Sequence, residues 1–229
     1  MKIGGFLKNS LSDFTGRISA VCFTQGCNLH CRYCHNPSLL PQDRPAEMDW
    51  QNIYAYLEQR QGQLDGVVFS GGEPLLQPNL LACIKQVKAL GYAVKLDTNG
   101  TLPFKLDAIL SEAVLDYVAM DFKADSTLWP SLTNSIVPHV HILKSLALLN
   151  QSQLDYEIRI TLVPGLHTHE NLSAMAQSLH QTKRIRLQTL SGGETLDPQL
   201  RQMQGFTEET LIKTKQQYFA SHPDCKIRV

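Results

Sequence analysis

The sequence predicts an α/β protein, with six parallel strands and their helices forming an open, partial (β/α)6 barrel that carries a short C-terminal extension. Three observations support this fold. Apolar, β-branched runs alternate with segments of helical periodicity, the connections between them are short, and polar motifs follow the ends of the apolar runs. Right-handed crossovers would curl six such units into a barrel with one side open. The 229 residues, 43% of them hydrophobic, suffice for one large domain with a sizeable core.

Six runs of apolar and β-branched residues predict the strands. They are Ile18–Thr24, Gly66–Ser70, Ala93–Leu96, Tyr117–Phe122, Tyr156–Val163 and Arg184–Leu190. Because each run is followed by a segment with helical spacing, the strands are expected to lie parallel.

Helix signals fill the intervals between the strands. Asp49 can cap a helix that runs to about Gln61, and Pro78 opens a second one that Gly91 closes after Leu90. Further helices are predicted at Lys105–Glu112, His139–Leu149, Asn171–His180 and Glu208–Phe219.

The domain prediction divides the chain into a barrel core and an extension packed on the same domain. Residues 1–190 form the core, with a lead-in over residues 1–17. Residues 191–229 form the extension, which contains the helix Glu208–Phe219 and a short strand at Lys226–Val229.

Composition argues against several classes of partner. The chain carries 21 basic and 21 acidic residues, so no charge excess attracts nucleic acid or an anionic membrane. No apolar run is long enough to span a bilayer, and the start of the chain lacks the apolar stretch of a signal peptide. Clustered free thiols indicate a reducing compartment, so the expected location is the cytoplasm.

The most informative motif is Cys27-Asn-Leu-His-Cys31-Arg-Tyr-Cys34, which places three thiols on one short loop. A cubane iron–sulfur cluster uses one ligand per iron, so three cysteines would leave one iron open to a ligand that is not protein. The alternative is a zinc knot made by these cysteines and His35. Structural zinc sites usually combine two separated ligand pairs, and this chain has no second pair. Of the other cysteines, Cys22 and Cys83 are interpreted as inert buried thiols, and the position of Cys225 near the C-terminus is uninformative.

Five polar or glycine-containing motifs fall at the ends of predicted strands. They are the cysteine loop, Ser70-Gly71-Gly72-Glu73-Pro74, Asp97-Thr98-Asn99-Gly100, Asp121-Phe122-Lys123 and Val163-Pro164-Gly165. Active sites of parallel β/α barrels are built at the carboxyl ends of the strands, so these motifs are expected to share one rim. The pairs His139/His141 and His167/His169 are interpreted as surface histidines rather than as metal ligands.

The cysteine spacing, with the aromatic Tyr33 before the third cysteine, resembles the radical S-adenosylmethionine (SAM) superfamily. The resemblance implies an open TIM-like barrel of the radical SAM type and a [4Fe–4S] cluster on Cys27, Cys31 and Cys34. It also implies that the open iron chelates S-adenosylmethionine. An electron from the cluster would then cleave it to methionine and a 5′-deoxyadenosyl radical, which is oxidoreductase chemistry.

The same resemblance assigns roles to individual residues. Gly71, Gly72 and Glu73 would receive the methionine amino group, Lys123 would pair with the methionine carboxylate, and Arg159 would bind carboxylate or ribose. Tyr33, Asn36 and Val163 complete the implied contacts with S-adenosylmethionine. In some activating enzymes of the family, the residues that match Asp97, Thr98 and Asp121 hold a monovalent cation.

Two segments resemble one branch of the family, the glycyl-radical-enzyme activases. They are Cys34-His35-Asn36-Pro37 and the opening that runs from Gly4 through Ser12–Arg17 into Thr24-Gln25-Gly26. The opening looks most like the activating proteins of anaerobic ribonucleoside-triphosphate reductase. The implied partners are a large glycyl radical enzyme, whose glycine loop Asp13 could contact, and a low-potential electron donor such as flavodoxin.

Three alternatives remain open at this stage. Pyruvate formate-lyase activase is similar in the Asp97–Gly100 and Val163–Gly165 regions. A small-molecule radical enzyme such as 7-carboxy-7-deazaguanine synthase shares the Gln-Gly-Cys-Asn opening but usually has Asp where this chain has His35. A cluster protein without catalysis would normally supply a fourth protein ligand, which the loop lacks.

Overall fold

One eight-stranded sheet, with its strands in chain order, organises the computed structural model, which describes residues 1–222 and 224–228. The strands are β1 (Ile3–Ser10), β2 (Ser19–Thr24), β3 (Gly66–Gly71), β4 (Ala93–Thr98), β5 (Tyr117–Asp121), β6 (Asp155–Leu162), β7 (Arg184–Thr189) and β8 (Asp224–Arg228). Strand β1 pairs with β2 in antiparallel fashion, and every later neighbour pair is parallel. The predicted α/β class with an open parallel sheet is therefore confirmed.

Two strands lie outside the six-unit prediction. The lead-in contains β1, which the apolar pattern did not identify because its stretch Gly4-Gly5 breaks the run. Strand β8 begins at Asp224 rather than at Lys226, and Val229 lies outside the described residues. Because β8 pairs with β7, residues of the C-terminal extension reach the same sheet as the barrel core.

Helices follow the parallel strands. They are α1 (Trp50–Gln59), α2 (Leu80–Ala89), α3 (Pro103–Ser111), α4 (Trp129–Thr133), α5 (Val140–Gln151), α6 (His169–Ser178) and α7 (Glu208–Tyr218). Asp49 caps α1 as predicted, since its carboxylate accepts from the Gln51 N–H at 3.1 Å. The short helix α4 had no sequence signal strong enough to predict it. None of the described helices combines the length and the apolar character needed to cross a membrane.

The inside of the barrel is layered, and this layering positions the site. An apolar floor is made by Phe14 of the β1–β2 connection packed on Val21, Val68 and Ala93. Above this floor, toward the carboxyl ends of the strands, Lys95 and Asp97 of β4 are both buried. Buried charges are costly unless they are paired, and they often belong to functional sites. This upper layer is therefore the candidate location of an active site.

Candidate active site

The cysteine loop follows β2 and is held by backbone hydrogen bonds at both ends. The N–H groups of Gly26 and Cys27 donate to the carbonyls of Leu39 and Leu40 at 2.8 and 3.1 Å. Farther along, the N–H of His30 donates to the carbonyl of Thr133 at 2.9 Å. The three cysteines are thereby carried on an ordered loop rather than on a free one.

The thiols point into a protected environment. Burial raises the pKa of Cys27 to about 12 and that of Cys31 to about 11, and it also raises the pKa of Cys34. The sulfur of Cys27 accepts the Leu29 N–H at 3.5 Å and the side-chain amide of Asn99 at 3.8 Å. Hydrogen bonds to sulfur are a standard means of tuning iron–sulfur clusters. Asn99 is a residue for which the sequence indicated no role.

The donor set fits a cluster better than it fits a single metal ion. Among residues 1–222 and 224–228, no three His, Cys, Asp or Glu side chains lie close enough to hold one ion. Zinc needs its four ligands at about 2.0–2.3 Å from one centre. A cubane binds each thiolate through a different iron and so accepts sulfurs that are spread along one loop. The zinc knot of the three cysteines with His35 thus has no geometric support.

A cavity of about 510 Å³ opens at the carboxyl ends of the strands. This volume falls within the usual range for small-molecule sites. The predicted site residues that line it are Asp13, Cys27, Cys31, Tyr33, Cys34, Asn36, Gly71, Gly72, Asp97, Thr98, Asp121, Lys123 and Arg159. Glu73 and Val163 are the two predicted site residues that do not line it. As expected from the positions of their motifs, most of the predicted site residues therefore lie around one cavity at the carboxyl ends of the strands.

Gly71 and Gly72 lie where the β3 loop touches the start of the cysteine loop. Gly71 has φ +106°, and a Cβ there would lie 2.4 Å from the Thr24 nitrogen. A Cβ on Gly72 would lie 2.2 Å from the Gly26 carbonyl oxygen. Because neither position has room for a side chain, glycine lets the two loops pack backbone to backbone beside the cavity.

Glu73 has a structural position that the sequence did not reveal. Its side chain is fully buried, and its carboxylate accepts from the Thr98 hydroxyl at 2.9 Å and from the N–H groups of Asn99 and Leu75 at 2.7 and 3.0 Å. Burial raises the pKa of Glu73 to about 7, against these hydrogen bonds, which lower it. The carboxylate thus ties the β3 and β4 loops together, and it does not line the cavity.

An alternating row of charges crosses the cavity floor from β4 to β6. Lys95 Nζ lies 3.1 Å from Asp97 Oδ1, and Arg159 Nη1 lies 3.0 Å from Asp97 Oδ2. Arg159 Nε then donates to Asp121 Oδ1 at 2.9 Å, and Lys123 Nζ donates to Asp121 Oδ2 at 3.2 Å. Three cations against two carboxylates leave one positive charge in excess.

The pKa shifts along this row follow from the pairing. Burial by itself would raise the pKa of Asp121, but the Arg159 and Lys123 cations lower it to about 2. Burial would lower the pKa of Lys123, and Asp121 instead raises it well above its ordinary value. Both groups are therefore charged at neutral pH. The Lys123 ammonium also lies 5.7 Å from the centre of the Tyr33 ring.

His167 joins the ends of β5 and β6 beneath Lys123. Its Nδ1 accepts the Val163 N–H at 3.1 Å, and its Nε2 is 3.0 Å from the Lys123 carbonyl oxygen. With Nδ1 accepting, Nε2 carries the proton, and burial lowers the pKa of the ring so that it stays neutral. The interpretation of His167 as a surface histidine was wrong, and Val163 contributes a backbone group beneath the cavity rather than a lining side chain.

The C-terminal extension contacts the cysteine loop directly. Arg32 pairs with Asp197 at 2.8 Å, and the Asp197 N–H donates to the Arg32 carbonyl at 2.8 Å. The Leu196 N–H donates to the Cys34 carbonyl at 3.1 Å. These bonds join residues far apart in sequence, so no local motif could have indicated them.

Asp13 marks the open side of the barrel. Its carboxylate accepts from the Ser10 hydroxyl at 2.5 Å, while its backbone carbonyl accepts from Lys95 Nζ. It lines both the main cavity and a second cavity of about 300 Å³, which β8 residues such as Lys226 and Arg228 also line. The two cavities share Asp13, Arg159, Gln188 and Arg228, so that together they reach the β1–β2 connection and β8.

Comparison with known proteins agrees with this fold. The family model described as the Radical SAM superfamily matches residues 21–177, well over half of the chain. The chain therefore belongs to the radical SAM superfamily. Membership implies a [4Fe–4S] cluster and S-adenosylmethionine, which the cysteine loop and the adjoining cavity fit.

Two curated relatives are named as activating enzymes. The chain is 27% identical over 206 residues to a protein of Methanocaldococcus jannaschii named as a glycyl-radical enzyme activating enzyme, covering 88% of this chain and 85% of the relative. It is 35% identical over 159 residues to the pyruvate formate-lyase-activating enzyme of Staphylococcus epidermidis, covering 64% of this chain and 62% of that enzyme.

Solved structures support the fold. SuiB of Streptococcus suis, bound to its precursor peptide SuiA, superposes with a TM-score of 0.68 at 16% identity, over 91% of this chain and 48% of SuiB. TYW1 with a lysine-pyruvate adduct gives a TM-score of 0.65 at 14% identity, over 89% of this chain and 74% of TYW1. At these identities the likeness concerns the fold alone.

Proposed function

We propose that this protein is a glycyl-radical-enzyme activase with a [4Fe–4S] cluster on Cys27, Cys31 and Cys34. The observation that carries the proposal is the convergence of the three thiols, the glycine loop and the charge row on one cavity. A cluster bound there would supply the electron that cleaves S-adenosylmethionine to methionine and a 5′-deoxyadenosyl radical, which takes hydrogen from a glycine of the partner. The names of the curated relatives support this branch.

The residues around the cavity divide the binding of S-adenosylmethionine among them. Lys123 and Arg159, with one excess positive charge in their row, suit the methionine carboxylate. Because the Glu73 carboxylate is buried away from the cavity and already accepts three hydrogen bonds, the amino group would meet backbone carbonyls of the Gly71–Gly72 loop instead. Tyr33 and Asn36 line the same cavity from the cysteine loop. Val163 acts through its backbone, which His167 holds.

The monovalent cation expected near Asp97, Thr98 and Asp121 is replaced, in this proposal, by the guanidinium of Arg159. Each of the four carboxylate oxygens already has a cationic nitrogen within 3.2 Å. The Thr98 hydroxyl donates to Glu73. A metal cation would have to enter beside three protein cations, and the one oxygen that accepts no hydrogen bond, Asp97 Oδ1, lies 3.1 Å from Lys95 Nζ.

The partner's glycine would reach the cavity through the open side of the barrel. The second cavity, which the β1–β2 connection and β8 line, would lead past Asp13 into the main cavity. One carboxylate oxygen of Asp13 accepts from Ser10, and the other is directed to no hydrogen-bond donor among the described residues. Asp13 can therefore accept a backbone N–H from an entering peptide loop.

Anaerobic ribonucleoside-triphosphate reductase is the first partner to test, because the Ser12–Arg17 opening resembles its activating proteins. Pyruvate formate-lyase is the second, since an activase of that enzyme is a relative at 35% identity. 7-Carboxy-7-deazaguanine synthase activity, which consumes a small pterin-type substrate, is the competing reaction within the same superfamily.

The test is electron paramagnetic resonance (EPR) on the reconstituted protein with S-adenosylmethionine, a strong reductant and each partner in turn. A glycyl doublet is expected with one partner, and it should be lost when that partner's radical glycine is replaced by alanine. Consumption of a pterin-type substrate, with no doublet from either partner, would replace the activase proposal by the synthase alternative.

A further inference from the structure

An exposed apolar patch lies on the outer surface where α3 and α5 begin. Its members, here called the α3–α5 patch, are Phe104, Ile136, Val140 and Leu143, and their exposed fractions are 79%, 101%, 49% and 37%. They make up half of the eight large apolar side chains that are exposed in the described part of the chain. Val140 and Leu143 share one face of α5, since they are three residues apart. Apolar side chains concentrated in this way mark an interaction site more often than scattered ones do.

The patch is joined to the cysteine loop through Asn28, the neighbour of Cys27. The side chain of Asn28 donates to the Thr101 hydroxyl at 2.8 Å and accepts from the Asn99 amide at 3.0 Å. That same amide contacts the Cys27 sulfur. The Ser135 hydroxyl, next to Ile136, lies 3.5 Å from the Asn28 carbonyl.

A second contact fixes α5 against this region. His141, next to Val140, lies 3.3 Å through Nδ1 from the Thr101 carbonyl, and Phe104 follows Thr101 by three residues. Every member of the patch is therefore within three residues of a group that contacts Asn28 or Thr101. The elements that carry the patch are thus bonded to the cysteine loop through Thr101 and Asn28.

The loop thus has two faces with different surroundings. Cys27, Leu29 and Cys31 line the cavity, whereas Asn28 and Thr101 do not. S-adenosylmethionine and a partner's glycine both need the cavity face. A reductant that approached through the α3–α5 patch would reach the cysteine loop without displacing either of them.

The charges around the patch favour an acidic binding partner. Residues 126–154, which include all of α5, contain no Asp or Glu. Lys105 and Lys144 adjoin patch members, with Asp107 as the one nearby acid on α3. An apolar centre beside basic side chains suits a weak, electrostatically steered encounter. Electron-transfer complexes sit at the small end of the range of interface sizes, so a patch of a few side chains is sufficient.

We propose that the α3–α5 patch docks an acidic one-electron carrier protein. The carrier reduces the cluster from the face of the cysteine loop that carries Asn28, which does not line the cavity. One electron leaves the carrier, which is oxidised by one electron, and the cluster is reduced by one electron. This inference rests on the proposed function, because it requires a cluster on the cysteine loop.

The experiment follows the cluster rather than turnover. Flavodoxin, reduced to its hydroquinone, is mixed anaerobically with reconstituted protein, and the EPR signal of the reduced cluster is measured against time. The variants are Lys144→Glu and the pair Phe104→Ser with Leu143→Ser. The matched control is Ile212→Ser, an apolar side chain of α7 that is 39% exposed and distant from these residues in sequence.

Reduction by flavodoxin is expected to slow by about tenfold or more in both patch variants and to stay unchanged in the control. Added salt should slow the wild type toward the rate of Lys144→Glu. Reduction by dithionite, which needs no docking, should be equal in all four proteins.

Flavodoxin reduction at the wild-type rate in both patch variants would overturn the proposal. If the same variants also impair partner activation under dithionite, the patch is assigned to the glycyl radical enzyme. Absence of any cluster signal with dithionite in the wild type would instead contradict the proposed function, so the two failures are distinguishable.

Discussion

Arg159 of β6 donates through Nε to Asp121 of β5 at 2.9 Å, so that a guanidinium bridges two neighbouring strands at the cavity floor. The same guanidinium reaches Asp97 at 3.0 Å. This arrangement neutralises both carboxylates from within the protein. It leaves the row of charges with one positive charge in excess, where the proposed substrate would bring a carboxylate.

The first prediction concerns monovalent cations. Because Arg159 already bridges Asp97 and Asp121, the affinity for S-adenosylmethionine should be the same in sodium, potassium and tetramethylammonium chloride at equal ionic strength. Isothermal titration of the reconstituted protein measures it. In Arg159→Met the carboxylates lose their shared partner, and binding should become dependent on sodium or potassium. Dependence on a specific cation in the wild type would refute the replacement of a metal by Arg159.

The second prediction concerns Lys123. Its ammonium is buried and charged, and Lys123→Ala should weaken binding of S-adenosylmethionine by about 1–3 kcal/mol if it pairs with the carboxylate. Lys213→Ala is the control, because that lysine is exposed on α7. Equal affinities of Lys123→Ala and the control would remove Lys123 from the binding site, whatever happens to cleavage.

The third prediction concerns Glu73 and pH. Its folded-state pKa is raised from 4.5 to about 7, so its stabilising contribution is fully present below pH 4.5 and is lost as the pH rises to about 7. In cluster-free protein the unfolding free energy of the wild type, relative to Glu73→Gln, should therefore fall over that window, by up to about 3 kcal/mol. Urea unfolding at a series of pH values measures it. A difference that stays level or grows with pH would contradict the account.

The fourth prediction concerns Asn99, whose amide contacts the Cys27 sulfur. A hydrogen bond to sulfur stabilises the more negative, reduced state of a cluster, so Asn99→Ala should shift its reduction potential to a more negative value. Redox titration followed by EPR gives the potential. Asn52→Ala, on the exposed face of α1, should leave it unchanged. A shift in the opposite direction would argue against this hydrogen bond in the loaded protein.

The parts of this site that the sequence predicted are those encoded over short distances. The cysteines share one loop, and each rim motif directly follows the strand that carries it, so periodicity and spacing suffice to bring them together. The site residues Asp97, Asp121 and Lys123 could be placed on the rim for this reason. Strand ends were predicted within a few residues for the same reason.

The parts that the sequence missed depend on contacts between distant segments. Glu73 is tied to Thr98 and Asn99 by the pairing of loops, which the Gly-Gly-Glu motif does not encode. His167 is buried because the ends of β5 and β6 close over it. The contact of Arg32 with Asp197 spans most of the chain. No local pattern specifies which of these polar side chains find partners inside the fold.

The central claim is that Cys27, Cys31 and Cys34 hold a cluster that cleaves S-adenosylmethionine. The most direct measurement is iron, sulfide and 5′-deoxyadenosine in protein reconstituted without oxygen and treated with dithionite, compared with Cys31→Ala and with Cys83→Ala. We predict about four irons and four sulfides per chain, with 5′-deoxyadenosine formed by the wild type and Cys83→Ala and none by Cys31→Ala. Zinc without sulfide in the wild type, or 5′-deoxyadenosine formation that persists in Cys31→Ala, would contradict the account.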